Sequence, residues 1–272
     1  MSQPSSPWLA ADSDTIQDAH TEEVFGMERW TDCVALVTGA SEGIGTEVAR
    51  RLHAEGMRVV GCARRVDRLQ HLRERLGGRF HPVACDLRDE VAILQMFAEI
   101  EALWGPVDVL VNNAGLGHHA PLLSGSTEQW REMLDVNVMA LAICTREAAT
   151  RMVQRKRKGH ILHISSLAAH RVPPNSGMYS ATKHAVRALT EALRMELHAL
   201  GTGIRVTSIS PGYVETGFAR VYYDSEEKAR ETYGRFEVLQ PEDVAEAVLY
   251  ALAAPQRAQV HDLLLRPTAQ PL

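Results

Sequence analysis

Seven short stretches of this chain are almost uniformly apolar, and longer stretches of helical period separate them. Residues 33–38, 57–62, 107–111, 160–165 and 204–209 are the clearest, each bounded by Gly, Asp, Asn or Pro; residues 80–85 and 260–265 are weaker members of the set. Between them, apolar residues recur with helical spacing over roughly 43–55, 65–76, 88–104, 126–157, 179–200 and 241–253. A strand with one face in water alternates apolar and polar residues, whereas a strand that is apolar throughout must be covered on both faces. Such strands alternating with helices predict a single doubly wound α/β domain, a seven-stranded parallel sheet with helices on both faces. Sheets of this kind bind ligands beyond the carboxyl ends of their strands, so chemistry is sought in the segments after each apolar run.

At 272 residues the chain is long for one domain but within the range of α/β sheets. Residues 27–272 show neither an internal repeat nor a second domain. No apolar run approaches the roughly 20 residues of a membrane-spanning helix. Residues 1–26 carry Asp12, Asp14, Asp18, Glu22 and Glu23 and no Lys or Arg. They lack the pattern of a secretory leader and are too polar to order themselves. A disordered acidic tail or an appended extension is expected there, on a cytoplasmic protein. Five of the 34 acidic residues lie in that tail, leaving 29 against 29 Lys and Arg; a body so balanced argues against a nucleic-acid surface. Cys33, Cys62, Cys85 and Cys144 form no Cys-x-x-Cys pair and read as buried reduced thiols. His118 and His119 read as loop or cleft lining, because neighbouring residues seldom bind one metal together; no metal site is expected. The basic run Arg155-Lys156-Arg157-Lys158 reads as a solvated helix end, where cations meet the carbonyl pole of the helix dipole.

Three motifs carry chemistry. The first apolar run leads through Thr38-Gly39-Ala40-Ser41-Glu42-Gly43-Ile44-Gly45 into a helix. Glycines there allow a tight turn and close approach of a pyrophosphate to a helix N-terminus, although a purely structural turn looks the same. The second run ends in Arg64-Arg65, where an acidic residue would take the ribose hydroxyl of NAD. Two guanidinium groups suit the 2′-phosphate of NADP instead, with an exposed basic helix start as the bland alternative and Glu42 as an opposing charge. The third motif is Tyr179-Ser180-Ala181-Thr182-Lys183, thirteen residues after Ser166. Tyr and Lys at i and i+4 share one helix face. A phenol of pKa ~10 is a poor proton shuttle at neutral pH, and a neighbouring ammonium favours its phenolate form. Alone, this spacing is a common accident of surface packing.

In this order and spacing the motifs resemble those of the short-chain dehydrogenases/reductases, and the resemblance spans residues about 31–267. It extends to Asn112-Asn113-Ala114-Gly115 and to Pro211-Gly212-x-x-x-Thr216. What it implies is a Rossmann-type domain with NADP(H) as cofactor and hydride transfer between the nicotinamide and a small apolar carbonyl or alcohol. Tyr179 would exchange a proton with the substrate oxygen and Ser166 would hold that oxygen, with Ser165 as the runner-up serine. Lys183 would hold the nicotinamide ribose and lower the tyrosine pKa, and Asn137 would anchor a proton-relay water. Gly39, Ala40, Ser41, Glu42, Gly43, Ile44 and Gly45 would cradle the pyrophosphate, and Asp86 and Leu87 would contact the adenine. Asn113 and Gly115 would floor the site, and Val214 and Thr216 would meet the nicotinamide amide and phosphates. A homodimer or homotetramer, paired through the helices at 126–157 and 179–200, is part of the same expectation.

Less general segments, among them Gly26-Met27-Glu28-Arg29-Trp30, Ile143-Cys144-Thr145-Arg146-Glu147 and Gln240-Pro241-Glu242-Asp243-Val244, are similar to one branch of that family. That branch is associated with NADPH-linked reduction of keto-steroids and oxidation of isoprenoid alcohols such as farnesol. Residues 170–178 form a shorter loop than in its vertebrate members, so an apolar substrate is expected but not steroid specificity. Residues 217–236, with Phe218, Tyr222, Tyr223 and Tyr233, read as a mobile aromatic lid, ordinary helix packing being nearly equal as an alternative. A cofactor-binding regulator without turnover is the rival class, and Asn137, Ser166, Tyr179 and Lys183 together argue against it. A sugar-nucleotide epimerase is a third, but such chains usually add a C-terminal substrate domain.

Overall fold

The computed structural model describes residues 26–271, and the expected acidic tail, Gly26 apart, lies outside the described residues. Strands β1 (Val34–Thr38), β2 (Arg58–Ala63), β3 (Phe80–Ala84), β4 (Val109–Asn112), β5 (His160–Ile164), β6 (Arg205–Pro211) and β7 (Asp262–Leu265) form one sheet in the order β3-β2-β1-β4-β5-β6-β7. Every neighbouring pair is parallel. The order reverses between β1 and β4, so the connections leaving these two strands diverge and open a crevice at their carboxyl ends.

Both faces of the sheet are dry along its central strands, and the edge strand β7 is partly exposed. Ala35 and Val37 of β1 point into one core, with Val59, Val109 and Val111, against α1 (Gly43–Ala54), α2 (Val66–Leu76) and α9 (Pro241–Ala253). The intervening Val34, Leu36, Val60, Cys62 and Leu110 point into the other, against α3 (Glu90–Trp104), α5 (Leu141–Gln154) and α6 (Gly177–Ala199). This double burial makes the strands read as continuous apolar runs, each fully buried Val or Leu contributing about 1.5–3 kcal/mol.

The stretch expected as one helix over 126–157 is three pieces: α4 (Thr127–Leu134), a π-helical segment Asp135–Ala140, and α5. Apolar residues continue across the join, so the wider turn leaves no mark on the pattern, but it is a feature that recurs at functional sites. Within 217–236 the chain forms α7 (Phe218–Tyr223) and α8 (Glu226–Tyr233), so the aromatic segment is ordered helix. The basic run does come after a helix end, yet it is partly ion-paired: Arg155 meets Glu101 at 2.5 Å and Arg157 meets Asp108 at 3.2 Å. Asp108 in turn accepts the Val34 backbone N–H at 3.0 Å. Arg205, buried at the start of β6, donates to the Ala254 and Leu252 carbonyls at 2.7 and 3.2 Å, satisfying the C-terminal end of α9. All four cysteines are free, and burial pushes the Cys85 and Cys144 thiols up to about 11 and 12.

Candidate active site

The turn after β1 is set by backbone geometry that side chains would obstruct. Gly39 and Gly43 have φ of +66° and +58°, the left-handed region that strains other residues. A side chain at Gly45 would run into the Gly39 carbonyl and the Asn113 amide. Asn113 closes this seam: its Nδ2 donates to Thr38 O at 2.9 Å and Gly39 O at 3.2 Å. The Thr38 hydroxyl accepts the Asn113 and Ala114 backbone N–H groups, both at 3.0 Å. Ala40 is buried, and its N–H donates to Cys62 O at 3.1 Å. Ser41 and Glu42 then lead into α1, where Ile44 packs on the core beside α9 and the first-turn N–H groups of Gly43, Ile44 and Gly45 have no helical acceptor. A helix N-terminus approached across bare glycines fits a pyrophosphate. Thr216 covers the far side, its methyl 3.0 Å from where a Gly43 side chain would begin. Val214, buried, positions that segment through a bridge to Leu239.

At the end of β2, Arg64 is exposed, and Arg65 pairs with Glu42 at 2.5 Å. Arg68 also pairs with Glu42. Burial works against it, but the bonds and charge of the two arginines hold the Glu42 carboxyl below its ordinary value. Asp86 is held in a two-pronged pair by Arg88, and Leu87 packs partly buried against the second core.

The remaining expected residues meet at the ends of β4 and β5. Ser166 comes after β5 in extended backbone, its hydroxyl accepting Ala168 N–H at 3.1 Å and acting to lower the Tyr179 pKa. Ser165 is buried, with its Oγ unpartnered. Lys183, also buried, donates to Ile164 O at 3.0 Å and lies 5.9 Å from the centre of the Tyr179 ring. Asn137, in the π-helical segment, is fully satisfied: Nδ2 donates to Leu116 O (2.8 Å) and Thr182 Oγ1 (3.0 Å), and Oδ1 accepts Leu116 N–H at 2.9 Å. It braces the loop after β4 against α6. A side chain at Gly115 would begin 3.4 Å from Asn137 Oδ1 and 3.5 Å from Lys183 Nζ, so glycine keeps the gap between amide and ammonium open.

The electrostatics correct one expectation. Burial pushes the Tyr179 phenol up to about 12, against the lowering by Ser166, rather than Lys183 drawing it down. Burial brings Lys183 itself down to about 8. The phenol is therefore a protonated acid at neutral pH.

The lid lies directly on this centre. Phe218 and Tyr222 stack on each other and sit 5.4 and 6.3 Å from the Tyr179 ring. His119 joins them through its ring, 6.0 Å from Tyr222, and through its backbone N–H to Tyr222 O at 2.8 Å. His118 instead pairs with Glu132 at 2.8 Å. Tyr233 anchors the lid from behind by donating to Thr216 O at 3.1 Å. Gly117 is its seat: a side chain there would begin 2.8 Å from both Phe218 and Tyr222. Among the described residues no group of three or more His, Cys, Asp or Glu is placed to hold a metal ion.

Residues 33–227 match the family described as short chain dehydrogenase. The chain belongs to that family. Among relatives of this short-chain dehydrogenase, dehydrogenase/reductase SDR family member 11 of Gallus gallus is 53% identical, over 90% of this chain and 99% of the relative. Farnesol dehydrogenase of Aedes aegypti is 45% identical, with the same coverage. The closed form of a serine dehydrogenase complexed with NADP+ is 38% identical and superposes with a TM-score of 0.84, covering 88% of this chain and 96% of that one. Among the described residues of this short-chain dehydrogenase, no helix is long and apolar enough to cross a membrane.

Thr38 and Thr182 stand inside the motifs read from the sequence but without a role of their own, and Gly117 reads like any loop glycine; only their contacts show what they do. The Gly117 seat predicts that Gly117→Ala pushes α7 outward, so amide hydrogen exchange over 218–223 accelerates while the sheet stays protected; unchanged exchange would contradict it. The buried ammonium gives a second prediction. Lys183 is depressed from 10.5 to about 8 on folding, so between those values the unfolded chain binds more protons and stability rises with pH, by up to about 3 kcal/mol. Urea unfolding should show that gain in the wild type and not in Lys183→Met. Equal slopes of stability against pH in the two proteins would refute it.

Proposed function

We propose that this short-chain dehydrogenase is an NADP(H)-dependent oxidoreductase that interconverts an apolar carbonyl compound and its secondary or allylic alcohol. The observation that carries the reading is the convergence on the Tyr179 phenol of Ser166, whose hydroxyl favours the phenolate, and Lys183, whose ammonium lies 5.9 Å from the centre of the ring, one crevice away from the glycine cradle. The cradle fits the pyrophosphate, and Arg64 and Arg65 supply the guanidinium groups for a 2′-phosphate. The NADP+ complex of the 38% identical serine dehydrogenase supports the same cofactor here. When bound, NADP(H) supplies the hydride or accepts it.

The chain's own groups manage the proton and the charge. Tyr179, protonated at neutral pH, donates to the carbonyl oxygen during reduction, a role worth about 10²–10⁴ in rate. Ser166 donates a second hydrogen bond to that oxygen as negative charge develops on it. During alcohol oxidation the flow reverses: Tyr179 takes the alcohol proton as a phenolate, the form that Ser166 favours. Asn137 and Gly115 keep the lysine end of this chain open to proton exchange. The rings of Phe218 and Tyr222, with exposed Leu122 and Val172 near the start of α6, support an apolar substrate. The relatives' names, a dehydrogenase/reductase and a farnesol dehydrogenase, support the same class.

NADPH oxidation against a panel of steroid ketones, isoprenoid carbonyls, diketones and quinones tests the reading. At least one apolar carbonyl should turn over, and silence across the panel would overturn it. Tyr179→Phe should lower turnover by about 10² or more while NADPH binding survives; retained activity removes the proton-transfer role. Arg64→Ala with Arg65→Ala should weaken NADPH more than NADH, and equal weakening removes the 2′-phosphate assignment.

A further inference from the structure

The arginines at the end of β2 are not waiting free for a phosphate. Arg65 caps the N-terminal end of α2 and Arg68 lies three residues further on, so both face the start of α1. There the Glu42 carboxylate takes both: one oxygen meets Arg65 at 2.5 Å and the other meets Arg68. The same carboxylate reaches across the mouth of the crevice, lying 3.5 Å from where a Gly217 side chain would begin, at the entrance to α7. It therefore stands in the space between the β2 arginines and the lid, at a helix N-terminus whose dipole favours an anion. Arg64 is placed differently. It is exposed, and Asp86, which feels its charge, is held by Arg88.

Relative strength favours a phosphate over the carboxylate at these guanidinium groups. The three side chains of the Glu42 pairs are 34–48% exposed, and such pairs are individually weak. A phosphate monoester carries up to two charges and three acceptor oxygens, and charge-assisted bonds from guanidinium to phosphate are about twice as strong as neutral ones. Both anions cannot occupy the same guanidinium edges, and two anions side by side repel.

We propose that Glu42 is a resident anion that the 2′-phosphate of NADP(H) displaces from Arg65 and Arg68, and that Arg68 joins Arg64 and Arg65 in holding that phosphate. The exchange rests on the NADP(H) reading of the site. It makes Glu42 a specificity-determining residue that weakens NADPH binding, since each binding event must first break the Glu42 pairs. NADH, with a hydroxyl at that position, leaves those pairs in place. In the sequence Glu42 is a bare repulsive charge; the structure adds the partners it must release.

The test uses the full chain and calorimetric titration with two adenosine probes, 2′,5′-ADP and 5′-AMP, which differ in the 2′-phosphate alone. Glu42→Gln should raise the preference for 2′,5′-ADP over 5′-AMP by about three- to tenfold, the scale of losing two half-exposed ion pairs, and Glu42→Asp should restore most of the wild-type ratio. Arg68→Ala should lower that preference, and lower it by a larger factor in the Glu42→Gln background, where the guanidinium has no competing partner to lose. An unchanged or reduced preference in Glu42→Gln, or an Arg68→Ala effect equal on both probes, overturns the exchange. Failure of the Arg64→Ala with Arg65→Ala variant to distinguish the two probes is a separate result, because it removes the 2′-phosphate reading itself.

Discussion

The organising constraint is the seam where the carboxyl ends of β1 and β4 meet. Strand order reverses there, so the connections leaving the two strands diverge and leave a gap that backbone alone must line. The gap closes to the right width because Gly45 brings no side chain against the Gly39 carbonyl, while the Asn113 amide and the Thr38 hydroxyl tie the strand ends together. Everything chemical is arranged along this line. The α1 N-terminus opens on one side, the Asn137 brace and the Lys183 ammonium lie on the other, and Thr216 closes over the top.

Burial does the electrostatic work at the far end of the seam. A phenol in water would titrate near 10; packed under Phe218 and Tyr222 it is pushed up to about 12. The ammonium that approaches its ring is itself brought down to about 8 by the same dry surroundings. Two groups moved in these directions keep an acid protonated and a nearby cation poised to respond. The rings of Phe218 and Tyr222 that help bury the phenol lie 5.4 and 6.3 Å from it, so the cover of the site is aromatic.

Sequence made much of this legible, for identifiable reasons. The central strands, buried on both faces, leave continuous apolar runs, while the edge strands β3 and β7, partly exposed, are the weaker runs; the glycine turn shows because only glycine tolerates its backbone. The residues of Tyr179-x-x-x-Lys183 and Ser166 became legible through their order among the other motifs, which is what carries the resemblance to the family. What stayed hidden depends on contacts rather than on pattern. The π-helical segment around Asn137 keeps the apolar rhythm of its neighbours, so 126–157 reads as one helix. The rise in the Tyr179 pKa reflects what covers it, whereas sequence offers only the neighbouring lysine. The Glu42–Arg68 pair joins residues 26 apart, and nothing local announces it; Arg68 alone reads as one more solvated helix cation.

The most direct measurement of the central claim is the fate of a labelled hydrogen. The protein would be incubated with a reducible apolar ketone and NADPH carrying deuterium at both C4 positions of its nicotinamide ring, and the alcohol product analysed by mass spectrometry. The account requires one deuterium on the carbinol carbon, with the hydroxyl hydrogen drawn from solvent through Tyr179. An alcohol whose carbinol hydrogen came from water would contradict it.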